Sequence, residues 1–322
     1  MKKLRFGIMG AGGIAHHFAR AVALTDCAQL VAAASKDPQR AAAFAEAHGI
    51  VGCSYEELLK REDIDAVYIA TTHNFHYENI RACLNAGKHV LCEKAMVMYE
   101  WQAREVFGLA QEKGLFLMEA MWSRFLPHIR RAKEWIEEGR IGALQSVTGV
   151  IGFRCNGDPE HRILSEKLGG GAMYDIGVYV TELVSFLVGS PILEVKGFVR
   201  RDSRTGVDNR VSFLLRFPEV DAALQCMITS NAKEYIILNG DQGFIEIPTA
   251  NVGCESFLYD GERRLTEHFR QEHPQGNGFV YEIRAMAECI EKGHLTCPIT
   301  PPEATIECAR VFDTLLETGV MK

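Results

Sequence analysis

The chain has 322 residues, 47% apolar and 24% charged, with a formal net charge of −7. That length suits two domains of ordinary globular composition, and the mildly acidic balance excludes the basic stripe of a nucleic-acid binder. Its ten cysteines form neither a CxxC pair nor a zinc-type cluster, and no apolar run reaches the roughly 18 residues of a membrane span, so a cytoplasmic protein with no metal, no membrane and no nucleic-acid partner is expected.

In chain order, "LRFGIMG" reads as a strand and "GIAHHFARAVAL" as a helix with Ile14, Phe18 and Val22 on one face. "AQLVAAAS" is a second strand. "DPQRAAAFAEAHG" is a helix with Asp37 as N-cap, Pro38 in the first helical position and Gly49 as stop. "DAVYIAT" and "HVLCE" are further strands, separated by the helix "FHYENIRACLNAG"; then come the helix "EWQAREVFGLAQEKG" and the strand "LFLMEA". Strands alternating with helices at this spacing predict right-handed crossovers and a Rossmann-type, doubly wound parallel sheet over residues 1–121.

Beyond residue 122 the pattern changes. "HIRRAKEWIEEG" is a helix, "GALQSVTGVIGFR" a strand, and "GGAMYDIGVYVTELVSFLVG" one long, mostly apolar helix. Period-2 segments follow: Val211, Phe213, Leu215 and Phe217 share a face, as do Leu224, Cys226 and Ile228. "KEYIILNG" and "GFIEIP" are strands joined by a "GDQG" turn, and two helices, "GFVYEIRAMAECIEKG" and "PEATIECARVFDTLLETG", close the chain. Residues 122–322 therefore read as an α+β domain with one large, open-faced, mainly antiparallel sheet.

"GIMGAGGIA" places Gly10, Gly12 and Ala15 as G-x-G-x-x-A directly after the first strand and at the start of the first helix. That context is what a dinucleotide fingerprint requires: a tight turn, close approach of backbone to a pyrophosphate, and a helix N-terminus facing it. Gly13 and Ile14 belong to the same cofactor-facing loop. At the end of the second strand stand Ser35 and Lys36, with Arg40 one helical turn on, while Asp37 is accounted for as a cap. A hydroxyl and two cations suit a ribose 2′-phosphate better than a 2′-hydroxyl, so NADP is the expected cofactor, with NAD possible.

Asp175 and Tyr179 lie four apart, on one face of an otherwise apolar helix. A dehydrogenase needs a group that takes the alcohol proton or returns one to a carbonyl. A tyrosine near pKa 10 does this at neutral pH only if a cation lowers it. Lys94, following Glu93 at the end of the strand "HVLCE", has the chemistry to be that cation.

Together "GIMGAGGIA", "TTHNFHYENI", "CEKAM", "MEAMWSRFLP" and "GGGAMYDIGVY" resemble the glucose-fructose oxidoreductase / inositol dehydrogenase / MocA family, closest to its dihydrodiol and D-xylose dehydrogenase branch. The resemblance implies an NAD(P)-dependent enzyme acting on a sugar, polyol or related diol, dimerising through the sheet of its second domain. The family's Glu-Lys-Pro motif falls on Glu93 and Lys94, with Ala95 where proline is usual. It implies that Lys94 contacts the nicotinamide ribose and the catalytic centre, that Tyr179 is the general acid/base, and that Asp175 supports it or orients substrate. It also implies that Trp122 lies near the substrate; Phe153 is a further candidate for the pocket wall. Thr71, Asn74 and His76 either line the nicotinamide ribose or cap the following helix. His73 and His76 lack further ligands at metal spacing, and His16 and His17 read as helix-surface residues. Two rivals stand beside this reading: an NAD-dependent polyol or inositol-type dehydrogenase, and a cofactor-binding sensor without catalysis.

Overall fold

The computed structural model describes residues 3–155 and 157–318. Its elements fall into two compact units. One comprises the chain up to residue 97, with 101–122 and 274–302; the other comprises 98–100, 123–273 and the chain from 303 on. The expected division at residues 121 and 122 is linear, whereas the chain itself returns to the first unit near its end.

The first unit is built from β1 (Leu4–Met9), α1 (Gly13–Ala23), β2 (Ala28–Ala34), α2 (Pro38–His48), β3 (Val51–Cys53), α3 (Tyr55–Lys60), β4 (Ala66–Ile69), α4 (His76–Asn85), β5 (His89–Glu93), α5 (Glu100–Lys113) and β6 (Leu117–Ala120). The strands form one parallel sheet in the order β3-β2-β1-β4-β5-β6, the doubly wound arrangement. β4 and β6 are buried at every position, which is why they read as continuous apolar runs. α2 is capped as its sequence demands: the Asp37 carboxylate accepts from the amides of Gln39 and Arg40, and Gly49 is left-handed at φ +65°.

The sequence reading missed β3 and α3. β3 is a three-residue edge strand with Val51 exposed, too short to show a period, whereas α3 carries a capping box from Ser54 to Glu57 that was legible. Ile14 is a correction: Phe18 and Val22 are buried, but Ile14 is 38% exposed. It sits in the first turn of α1 beside Gly12 and Gly13, where an added Cβ would meet nothing within 4 Å.

The second unit holds α6 (Pro127–Glu137), β7 (Leu144–Gly152), α7 (Val178–Val188), β8 (Glu194–Arg201), β9 (Asp208–Arg216), β10 (Asp221–Met227), β11 (Tyr235–Gly240), β12 (Gly243–Pro248), β13 (Glu255–Asp260) and β14 (Leu265–Arg270). α8 (Phe279–Glu291) belongs to the first unit and α9 (Pro302–Thr318) mostly to the second. The strands form one sheet, β14-β13-β12-β11-β7-β10-β9-β8, antiparallel throughout except for the parallel pair β10 and β7. Val211, Phe213, Leu215, Leu224 and Cys226 face inward as their period predicts. On the other face Phe198 is 63% and Leu214 56% exposed.

β8, β13 and β14 were not legible: "LTEHFR" of β14 has a polar residue on each face and breaks its apolar face with Glu267, and β8 puts its charges and Phe198 outward. The long apolar helix is also not continuous α: Met173–Gly177 is π-helical and α7 begins after it. The helical stretch Glu166–Val188 is long and apolar enough to span a membrane, at hydropathy 1.3, but 83% of its most apolar window is buried inside the protein. Its hydrophobicity belongs to the core.

Candidate functional site

The loop after β1 turns sharply because Gly10 adopts φ +105°, and a Cβ there would lie 2.8 Å from the carbonyl carbon and oxygen of Ala70. Only glycine fits. Gly12 is the N-cap of α1 and offers no side-chain cap, so the first amides of the helix are left for a ligand. Uncapped amides with open space before them fit the pyrophosphate of a dinucleotide. Ala15 is fully buried, as close packing of helix on strand requires.

At the end of β2, the Ser35 hydroxyl accepts from the Asp37 amide at 3.2 Å. The Lys36 ammonium stands 3.9 Å from the centre of the Phe75 ring, a cation–π contact. Arg40 is 74% exposed, 3.5 Å from the Asp37 carboxylate. The three residues singled out for a 2′-phosphate are therefore neighbours, but Lys36 is already engaged by an aromatic face.

Glu93 ends β5 and Lys94 follows in a turn on the same carboxyl edge as the glycine loop. The Glu93 carboxylate is buried; it accepts from the Tyr68 hydroxyl and, at 3.3 Å, from the Lys94 amide. His73 Nε2 lies 3.2 Å from the Lys94 carbonyl oxygen. His76 is fully buried, with Nδ1 2.9 Å from the Ala95 carbonyl oxygen and Nε2 3.0 Å from that of Thr71. Carbonyls only accept, so a neutral ring donates to one of the two at a time; burial lowers the pKa of this histidine despite those acceptors. The Glu119 carboxylate takes the Met96 amide at 2.9 Å, and the Lys94–Ala95 peptide is cis.

In the adjoining loop the Thr72 hydroxyl donates to the Asn74 side-chain oxygen at 2.7 Å, and Asn79 donates to the Thr71 hydroxyl at 3.1 Å. Trp122, also in this unit, packs its ring 5.1 Å from that of Phe279. Glu282 of α8 is fully buried with no hydrogen-bond partner among the described residues, and burial and the nearby Glu93 charge push its carboxyl well above the ordinary range.

In the second unit Asp175 and Tyr179 are both buried, Asp175 in the π-helical turn and Tyr179 in the first turn of α7. Asp175 is paired with the half-exposed Arg162 at 2.9 Å. The start of this helical stretch is held by Asp208 of β9, whose carboxylate accepts the Met173 amide at 2.7 Å. Burial raises the Asp208 pKa to about 7, with the Met173 and Ala172 amides opposing it. Three residues past Tyr179, Glu182 makes a buried ion pair with Arg124 at 2.6 Å. Phe153 follows β7, half-buried, its amide donating to Met227 O at 3.1 Å. Arg162, Asp208 and the Arg124–Glu182 pair were not found as site neighbours from the sequence. Asp208 left no signal, since the period of β9 puts it on the outward face with Arg210, and only the structure shows it buried.

A glycine turn and uncapped helix at the carboxyl edge of a doubly wound sheet define a dinucleotide-binding protein. Residues 4–121 match the model of an oxidoreductase family with an NAD-binding Rossmann fold, and residues 129–246 match the GFO/IDH/MocA C-terminal domain. The chain is 34% identical over 309 residues to the trans-1,2-dihydrobenzene-1,2-diol dehydrogenase of Mus musculus, covering 92% of this chain and 91% of that one. To the enzyme of the same name from Xenopus tropicalis it is 31% identical, covering 97% of both. Among solved structures, the aldose-aldose oxidoreductase of Caulobacter crescentus superposes with a TM-score of 0.89 at 26% identity, over 99% of this chain and 98% of that one. A 3-ketoreductase from Actinomadura kijaniata, solved with NADP and TDP-benzene, gives 0.88 at 27% identity over the same shares. The chain belongs to the GFO/IDH/MocA family of oxidoreductases.

Proposed function

We propose that this protein is an NADP-preferring dehydrogenase that interconverts a secondary alcohol and a carbonyl on a sugar, polyol or trans-dihydrodiol. The observation that carries the reading is the Glu93–Lys94 turn. It lies at the same sheet edge as the uncapped glycine loop, and Glu93, His73, His76 and Glu119 all bond its backbone. So many buried polar groups converge on four residues only where position matters. The relatives support the substrate class: one group is named for a dihydrodiol, and the solved neighbours for aldoses and a ketoreduction.

The nicotinamide cofactor, when bound, supplies the two-electron exchange. Gly10, Gly12, Gly13 and Ile14 receive its pyrophosphate, and Ser35, Lys36 and Arg40 its adenosine ribose. Thr71, Asn74 and Glu93 shape the nicotinamide side, with His76 holding the turn. Tyr179 takes the alcohol proton, or returns it to the carbonyl; Lys94 lowers the tyrosine's hold on that proton. Asp175, steadied by Arg162, orients substrate hydroxyls, and Trp122 and Phe153 wall the pocket. The protein acts as a homodimer through the outward face of the second sheet, in the cytoplasm, where its ten cysteines stay reduced.

The test follows nicotinamide absorbance with NADP or NAD against pentoses, hexoses, inositols and trans-dihydrodiols, with Tyr179→Phe alongside. Turnover of one class, faster with NADP and reduced about 10²–10⁴-fold in the variant, supports the assignment. Tight cofactor binding with no turnover on any substrate favours a sensor instead.

A further inference from the structure

His16 lies in the second turn of α1, half-buried, and takes no part in the reading above. Its ring packs against Phe44 of α2 at 4.4 Å between centroids and against His48, at the end of α2, at 5.0 Å. Nδ1 of His16 is 2.8 Å from Nε2 of His48. One proton lies between the two rings, so their tautomers are linked. If His48 donates, His16 carries its own proton on Nε2; if His16 donates, its Nε2 is an acceptor. Among the described residues no protein group bonds that Nε2. The same ring lines a cavity of about 400 Å³ together with Gly12, Gly13, Arg40 and Phe44.

We propose that His16 is a cofactor-specificity residue, which with Arg40 grips the adenosine 2′-phosphate of NADP, while His48 is the positioning residue that sets its tautomer. The pyrophosphate is served by the uncapped amides of α1. His16 sits a turn further along, on the side that packs against α2, the helix that follows the Ser35–Lys36 end of β2, where ribose substituents are read. Arg40 and His16 line one cavity, and a guanidinium with an imidazole N–H suits a dianionic monoester, each bond being charge-assisted. With Lys36 held over Phe75, His16 supplies the second donor beside Arg40. This inference rests on the proposed NADP preference and names a residue that preference alone does not.

The experiment titrates NADP and NAD into wild-type protein, His16→Phe and His16→Gln, and reads dissociation constants by calorimetry. His16→Phe keeps the ring stack on Phe44 and removes both nitrogens; His16→Gln keeps a donor of similar reach. The expected result is a roughly tenfold loss of NADP affinity in His16→Phe, with NAD changed less than about threefold, and a smaller loss in His16→Gln. His48→Phe should weaken NADP selectively as well, whereas a role in packing alone would weaken both cofactors alike. Equal losses for the two cofactors, or none, overturn the assignment. A wild-type protein that favours NAD overturns the NADP preference and this inference with it; one that favours NADP while His16→Phe leaves the ratio unchanged overturns this inference alone.

Discussion

The two sheets solve burial in opposite ways. In the first unit helices cover both faces, and β4 and β6 have no exposed residue; what is left open is the carboxyl edge, where the loops carry Gly10, Ser35, Thr71 and Lys94. In the second unit α6, α7 and the π-helical turn pack on one face, and the outward face of β8 and β9 stays exposed, with Phe198 and Leu214 set among Lys196, Arg200, Arg210 and Arg216. The first unit leaves an edge open, whereas the second leaves part of a sheet face open.

Buried charge is met in two ways. The first unit ties it to backbone: Lys88 donates to the carbonyls of Arg61 and Ile64, and Glu119 receives the Met96 amide. The second also pairs it with opposite charge, Arg124 with Glu182, while Asp208 takes the Met173 amide.

That last pair gives the largest expected effect. Arg124→Ala leaves Glu182 buried without its counter-ion and should cost about 3–5 kcal/mol in denaturant unfolding. If Arg124→Met with Glu182→Leu is comparably destabilised, the pair's charge is not what the helix depends on.

The one-face rule is sharpened next. Leu91→Ala in β5 and Leu215→Ala in β9 should each cost about 2–5 kcal/mol, because both side chains are fully buried. Leu214→Ala, one residue from Leu215 but outward, should stay within about 0.5 kcal/mol. A comparable loss at Leu214 in a monomer would mean that the outer face is covered by this chain itself.

Asp208 adds a pH signature to the second unit. Its carboxyl holds a proton up to about 7 when folded, against roughly 3.9 in an unfolded chain. The folded state thus binds the proton more tightly, and the stability this contributes is present below about pH 4 and lost as pH rises through 7. Asp208→Asn keeps one acceptor for the Met173 amide and cannot titrate. Wild-type stability should therefore fall relative to the variant across this window, by about 1.4 kcal/mol per pH unit at the steepest, and run parallel to it above pH 8. Parallel curves throughout would show that Asp208 does not change its protonation on folding.

The smallest expected effect on stability comes from Leu214→Asp, which should leave unfolding within about 0.5 kcal/mol yet convert a dimer to a monomer in size-exclusion chromatography. A wild-type monomer would remove the proposed interface outright.

Local pattern alone determined the alternation of strands and helices in the first sheet, the cap of α2 by Asp37 and Gly49, the inward set of β9 and β10, and the glycine loop. Each depends on neighbours within a few residues: a period of two or 3.6, a cap three residues away, a turn that only glycine can make. Tertiary structure decided what meets across long separations. Asp208 reaches back 35 residues to cap the helix of Asp175 and Tyr179, Arg124 crosses 58 to Glu182, and His48 fixes His16 from 32 away. No periodicity encodes such pairs, because a buried polar side chain is satisfied by whichever partner the packed core brings to it. The same holds for Ile14, which its spacing placed in the core and which the open end of α1 left exposed.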